Sequence, residues 1–228
     1  MLTLTLPPAK PLIKAADKEI LLVTNADLRE SANVGCWPVQ NAFEAKLGEA
    51  LQSRFGVAAK RAHLYKGDKG HGFISSQREG SDLFATLDPE APVIVLLTAW
   101  QYSHHLAPSL AKHRGPVLLL ANFDGTWPGL VGMLCMAGTL TSLGKAYSRL
   151  WSTDFADDFF FSGLESWLNT GQIRHDTTYL HPVSGTHPAA ATPAWAIGCK
   201  VGEYSLQHKE ILGLFDTSCM GMINGVFT

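Results

Sequence analysis

Apolar runs in this chain end in clusters of polar and aromatic residues, and this pattern constrains the fold more than any other feature. ILLVT (20–24) leads into Asn25, Asp27, Arg29 and Glu30. VIVLLTA (93–99) leads into Trp100, Gln101, Tyr102, His104 and His105, and VLLLA (117–121) into Asn122, Asp124, Thr126 and Trp127. ILGLF (211–215) leads into Asp216, Ser218 and Cys219. As parallel strands, these runs place all the polar groups on one rim of one sheet. In open α/β sheets that rim is where ligands bind.

Amphipathic segments fill the intervals. Val39, Phe43, Leu47, Leu51 and Phe55 recur at four-residue spacing and predict a helix over 38–55, with Pro38 in its first turn and Gly56 closing it. A weaker strand is expected over 58–65, a loop over 66–72, and helices over 74–87, 105–113, 127–145 and 157–169. A short fifth strand is expected over 147–151. The run 93–99 is apolar on both faces, as a central parallel strand is. Strands alternating with helices in this way predict a doubly wound, mostly parallel α/β sheet, Rossmann- or flavodoxin-like. The expected domain covers 1–170. An irregular arm follows over 171–209, with Pro182, Pro188, Pro193 and three histidines in its 171–198 portion. The strand and helix start over 210–228 then open a second α/β domain.

Composition excludes several classes. Of 228 residues, 46% are apolar and 17% charged, so a sizeable core is possible and wholesale disorder is not expected. The net charge of −2 and the lack of a basic stripe argue against nucleic acid. Cys36, Cys135, Cys199 and Cys219 form no C-x-x-C pair, which fits reduced thiols and a cytoplasmic location. The start has no signal-peptide pattern, and no run is suited to spanning a membrane; 130–143 reads as a buried helix.

Several clusters could carry chemistry. Trp100, Tyr102 and Trp127 near Asn122 and Asp124 suit a sugar, whose C–H faces stack on indole while its hydroxyls bond to amide and carboxylate. Aromatic residues fill subunit interfaces equally well. His104 and His105 could bind metal, although adjacent helical residues point about 100° apart and rarely serve one ion. Arg29 and Glu30 form either a ligand clamp or a surface ion pair. GDKGHGF (67–73) is a lid with Lys69 and His71, or a plain connection; it is neither a P-loop nor a dinucleotide fingerprint. DTSCMGMING (216–225) opens a helix whose N–H groups could hold an anion or a hydroxyl-rich ligand. Nucleophile-elbow, H-E-x-x-H and metal-spacing motifs are absent.

CWPVQ (36–40), HGF (71–73), TAWQYSHH (98–105), NFDGTWPGLVGML (122–134), LWSTDF (150–155) and FDTSCMGMING (215–225) resemble, in order, the N-terminal part of the L-fucose isomerase-like family. GTWPGLVG and SCMGM are the most specific of these. The resemblance implies a three-domain, oligomeric, manganese-dependent aldose–ketose isomerase whose metal ligands and base lie in later segments of a longer chain. It implies that the N-terminal domain covers a neighbouring subunit's active site and offers an arginine and a tryptophan to substrate. Arg29 in LRES and Trp100 in TAWQY take those places; Asp216, Cys219 and Met220 match the second domain's opening turn. Tyr102, Asn122, Asp124 and Trp127 join them by the sheet argument.

The expectation is therefore a region that supplies substrate-contacting and oligomer-forming surface to an aldose–ketose sugar isomerase. It lacks the metal-ligand segments and, alone, neither binds Mn²⁺ nor catalyses. Its expected partners are a monosaccharide and copies of itself, with no nucleic acid and no membrane. Two other readings stay open: a stand-alone sugar-binding or regulatory module, and a flavodoxin-like nucleotide binder.

Overall fold

The computed structural model describes residues 19–181 and 192–208. Five parallel strands form one sheet: β1 (Ile20–Val23), β2 (Ala59–Arg61), β3 (Val93–Leu97), β4 (Val117–Asn122) and β5 (Ser148–Ser152). Their order is β2-β1-β3-β4-β5. Both β2 and β3 flank β1, so the direction of winding reverses between β1 and β3. The crevice at such a reversal, outside the carboxyl ends of the strands, is the expected ligand position in this flavodoxin-like order.

Helices α1 (Glu30–Phe55), α2 (Gln77–Thr86), α3 (Ala107–Lys112), α4 (Gly129–Ser142) and α5 (Asp158–Thr170) cover the two faces. Alternation within the strands explains the division. Ile20, Leu22, Ile94, Leu96, Leu118, Leu120 and Leu150 point toward α1 and α5, where they meet Phe43, Leu47, Leu51, Phe160, Leu164 and Trp167. Leu21, Val23, Val93, Val95, Leu97, Val117 and Leu119 point the other way, toward α2, α3 and α4. Strands buried on both faces read as unbroken apolar runs. Each fully buried Leu or Ile contributes about 1.5–3 kcal/mol relative to exposure.

Several expected boundaries move. Helix α1 begins at Glu30, two turns before Pro38, so Pro38 lies inside the helix and not in its first turn. The ring sits on the exposed side, where water can satisfy the carbonyl that loses its helical donor. Strand β2 has three residues, because the chain leaves the sheet after Arg61. Ile74 and Ser75 precede α2 as extended chain, with Ile74 bridged to Asn25. Asp157 caps α5 by accepting from Phe160 N–H, and Gly171, in the left-handed region at φ 72°, ends it.

The chain divides into two compact units between Arg174 and His175. In the second lies α6 (Pro193–His208), which corrects the expectation of an irregular arm throughout 171–209. Pro193 is the first residue of that helix, a place where proline is favoured and does not break the helix. The strand and turn expected over 210–228 lie outside the described residues. Among the described residues no helix is long and apolar enough to cross a membrane.

Candidate functional site

The rim between β1 and β3 is held by a buried polar network. Gln101 has φ 46°, in the left-handed region that non-glycine residues rarely occupy. That conformation turns its buried amide back under the rim. Oε1 accepts from the N–H groups of Thr98 (2.8 Å) and Ala99 (3.1 Å). Nε2 donates to Thr24 Oγ1 (2.8 Å) and to the Asn25 carbonyl (2.8 Å). One side chain thereby ties the end of β3 to the end of β1. Asn25 Nδ2 returns the link to the Gln101 carbonyl and Ser103 Oγ, and Ser103 Oγ donates to the Ala26 carbonyl. Below, Thr98 Oγ1 donates to Gln40 Oε1 and accepts from Cys36 Sγ. Burial pushes the Cys36 thiol up to about 11, so it is a packed thiol and not a nucleophile. Gln101→Ala removes four satisfied bonds at once, and a fall of about 2 kcal/mol in unfolding free energy is expected. Urea denaturation checks it; a change within experimental error would remove Gln101 from this role.

On this platform stands an Arg–Trp pair. Asp27 is buried, and its carboxylate accepts from Arg29 N–H, Nε (2.8 Å) and Nη2 (3.2 Å). Asn33 locks the turn: its Oδ1 accepts from Asp27 N–H and its Nδ2 donates to the Asp27 carbonyl. The guanidinium lies 4.6 Å from the Trp100 ring centroid. The hydrogen bond from Arg29 to Asp27 raises the arginine's pKa further. The Arg29 side chain remains 47% exposed, and two of its five N–H donors bond to Asp27. Beside it, Leu28, Ser76, Gln77, Ser103, His104 and His105 line an open cleft of about 390 Å³.

A second cluster follows β4. Asn122 is fully buried and donates from Nδ2 to Asp124 Oδ1 and to the Trp127 carbonyl. Burial pushes the Asp124 pKa up, but bonds from the Thr126 N–H and hydroxyl and from Asn122 outweigh it and hold the carboxyl below its ordinary range. Trp127 packs on Ala26, Cys36 and Ala99, close over Gly35, and so joins this loop to the start of α1.

The expected residues therefore separate into four groups, one of them Asp124 alone, half-buried and bonded to Asn122 and Thr126 in the loop after β4. Arg29 and Trp100 touch, and Trp127 borders the same stretch of rim. Tyr102 and Asn122 are buried supports and not open surface: Tyr102 lies near enough to Arg29 to act on its charge. Asp216, Cys219 and Met220 lie outside the described residues. Asp27 and Gln101 follow apolar runs in the sequence and so lie on the rim, but their residue types alone assign neither a role. An acid two residues before an exposed arginine was the available signal for Asp27.

The 67–73 segment is exposed over residues 67–69 and buried over residues 71–73. His71 is fully buried, accepts from Phe73 N–H at Nδ1, and donates from Nε2 to Glu30 Oε1 at 3.2 Å. Lys66 reaches the Phe73 carbonyl, Ser75 Oγ and Glu79. Among the described residues no group of three or more His, Cys, Asp and Glu side chains is placed to hold a metal ion, His104 and His105 included.

No protein-family model matches the chain, and no curated protein matches it. Among solved structures, an oxidoreductase from Corynebacterium diphtheriae aligns with 66% of this chain and 91% of its own at 10% identity, with a TM-score of 0.35. A likeness that faint adds nothing about chemistry. The α/β class follows from the strand order itself, and the candidate site is the Arg29–Trp100 rim at the point where the winding reverses.

Proposed function

We propose that this rim binds a monosaccharide, and that the chain supplies substrate-contacting surface to an aldose–ketose isomerase of the L-fucose isomerase-like kind. The observation that supports the reading is the Arg29 guanidinium, clamped by buried Asp27 and laid against Trp100, with donors left over. Sugar hydroxyls accept from those donors, and the C–H face of the ring lies along the indole. Both side chains are held before a ligand arrives, so little rotamer entropy is lost on binding. The rim's part is confined to binding and orientation. In the resembling family manganese polarises the sugar's oxygens; the described residues offer it no ligand set, so no step runs through it here.

The nucleotide alternative fits less well. In this strand order a phosphate would sit at the start of α1. Asp27 and Glu30 place carboxylates there, and Asp27 already occupies Arg29.

Calorimetry of the full chain with L-fucose and D-arabinose tests the reading. Trp100→Ala should weaken binding about tenfold, the size of one lost stacking contact, with the circular dichroism spectrum and Tm retained. Absence of heat with either sugar, or equal affinity in Trp100→Ala, would overturn it.

A further inference from the structure

The chain between β2 and α2 is fastened at both ends and held in its middle by one imidazole. At one end Ala62 N–H donates to the Leu22 carbonyl, and His63 accepts from Thr24 N–H. At the other, Ile74 N–H donates to the Thr24 carbonyl and Ala26 N–H donates to that of Ile74. Between these anchors the chain turns back on itself. Lys66 N–H donates to the His71 carbonyl at 3.0 Å, and Gly70, at φ 69°, lies in the left-handed region that the turn requires. Gly67, Asp68 and Lys69 are exposed at its tip, whereas His71 has no exposed surface.

Both nitrogens of the His71 ring are committed. Nδ1 accepts from Phe73 N–H at 3.1 Å, and Nε2 donates to Glu30 Oε1, on α1, at 3.2 Å. Only a neutral imidazole with its proton on Nε2 makes both bonds. A second proton, on Nδ1, would face the Phe73 N–H donor to donor, and the enclosed ring cannot turn to water where it stands. Burial opposes the charged ring most strongly and lowers its pKa from 6.5; Lys66 and Lys69 of the same turn act in the same sense, and Glu30 acts against them. The Glu30 side chain is 59% exposed, so water weakens its pull.

The turn covers Trp37 of α1. Gly72 packs so closely on the indole that a Cβ there would lie 2.5 Å from it, and Phe73 meets it edge-on with ring centroids 4.9 Å apart. Trp37 is left 5% exposed. We propose that residues 64–73 form a proton-operated latch: neutral His71 fastens them over Trp37 and the first turns of α1, and a second proton on the ring releases them. Release uncovers Trp37 and frees Glu30, the neighbour of Arg29 in the chain. The latch does not depend on the sugar reading, and its test contains no sugar.

Hydrogen exchange of the full chain at pH 7.5 and pH 5.5, corrected for the pH dependence of unstructured amides, tests it. A released ring takes its proton near pH 6.5, so opening linked to that proton grows about tenfold for each pH unit below that value. The amides of residues 66–73 should therefore lose about tenfold in protection at pH 5.5. They should be less protected than β3 at both pH values, which marks a local opening and not global unfolding. His71→Asn keeps an amide oxygen within reach of Phe73 N–H and cannot titrate, so its protection over 66–73 should differ little between the two pH values. In the wild type, imidazole ¹⁵N shifts should report the Nε2–H form at pH 7.5, and protonation of the ring should accompany the loss of Phe73 protection. Protection that is unchanged at pH 5.5 overturns the latch. So does a segment that opens only when β3 does, an equal loss in His71→Asn, or a ring that takes its second proton while Phe73 stays protected.

Discussion

Gly132→Ala should lower the unfolding free energy by about 3 kcal/mol and also weaken the sugar binding proposed above. A Cβ at position 132 would lie 2.3 Å from the Ala99 carbonyl oxygen and 2.5 Å from that of Trp100. Both obstacles are backbone, so no side chain can swing away. Either α4 backs off the sheet and opens space around Met133 and Met136, or the 99–102 segment moves. The second route breaks the Gln101 bonds to Thr98 and Ala99 and carries Trp100 off Arg29. Stability and affinity should therefore fall together, unlike Trp100→Ala, for which the proposed function predicts a loss of affinity alone. Gly48→Ala is the control: it lies in α1 with nothing within 4 Å of its would-be Cβ. That change should be neutral or stabilising by up to about 1 kcal/mol, because alanine loses less conformational freedom in a helix. Equal effects of the two substitutions in guanidinium denaturation would show that close approach of α4 does not matter.

The same glycines explain which parts of the sequence were legible. GTWPGLVG stood out as a motif, and the structure gives it a physical basis. Gly129 and Gly132, three apart, share the face of α4 that meets the carbonyls of Leu97, Ala99 and Trp100. The strands were legible because burial on both faces leaves continuous apolar runs; the order that sets β1 beside β3 is seen only in the structure. What was hidden depends on three-dimensional context. Pro38 reads as a helix start, yet α1 runs through it because the ring faces water. Tyr102 and Asn122 carry polar atoms that suggest a ligand, yet both are buried beneath the surface they were assigned to. Gln101, between a tryptophan and a tyrosine, reads as surface. Only its left-handed backbone turns the amide inward, and nothing local in the sequence announces that.

A second large effect is expected from acid. His63 is buried, and its Nε2 accepts from Thr24 N–H at 3.2 Å, at the end of β1 beneath the rim. Burial, aided by the charge of Arg61, lowers its pKa from 6.5 to about 4. In the unfolded chain the ring takes up a proton as pH falls through about 6.5; in the folded chain it does so only near 4. Between those values the unfolded state binds more protons, so stability rises with pH and falls on acidification. The contribution is intact above pH 6.5, and by pH 4 the loss reaches about 3 kcal/mol for this one group. Burial also lowers His71, His105 and His113, and these add to the loss with the same sign. Glu79, whose pKa is lowered by Lys66 and the Ser75 N–H against the effect of its burial, acts on a lower window, below its unfolded value of 4.5. The two kinds of group therefore separate along the pH axis. His63→Gln keeps a neutral acceptor and removes the titration. Its absolute stability at pH 7 can fall, but its loss between pH 7 and pH 4.5 should be smaller than that of the wild type by roughly 2–3 kcal/mol. Urea denaturation of both proteins at the two pH values measures that difference directly. If the two curves shift equally on acidification, proton uptake by the unfolded chain at His63 is not what acid exploits. Thr24, Gln101 and the Arg29–Trp100 rim would then owe their acid sensitivity to another histidine.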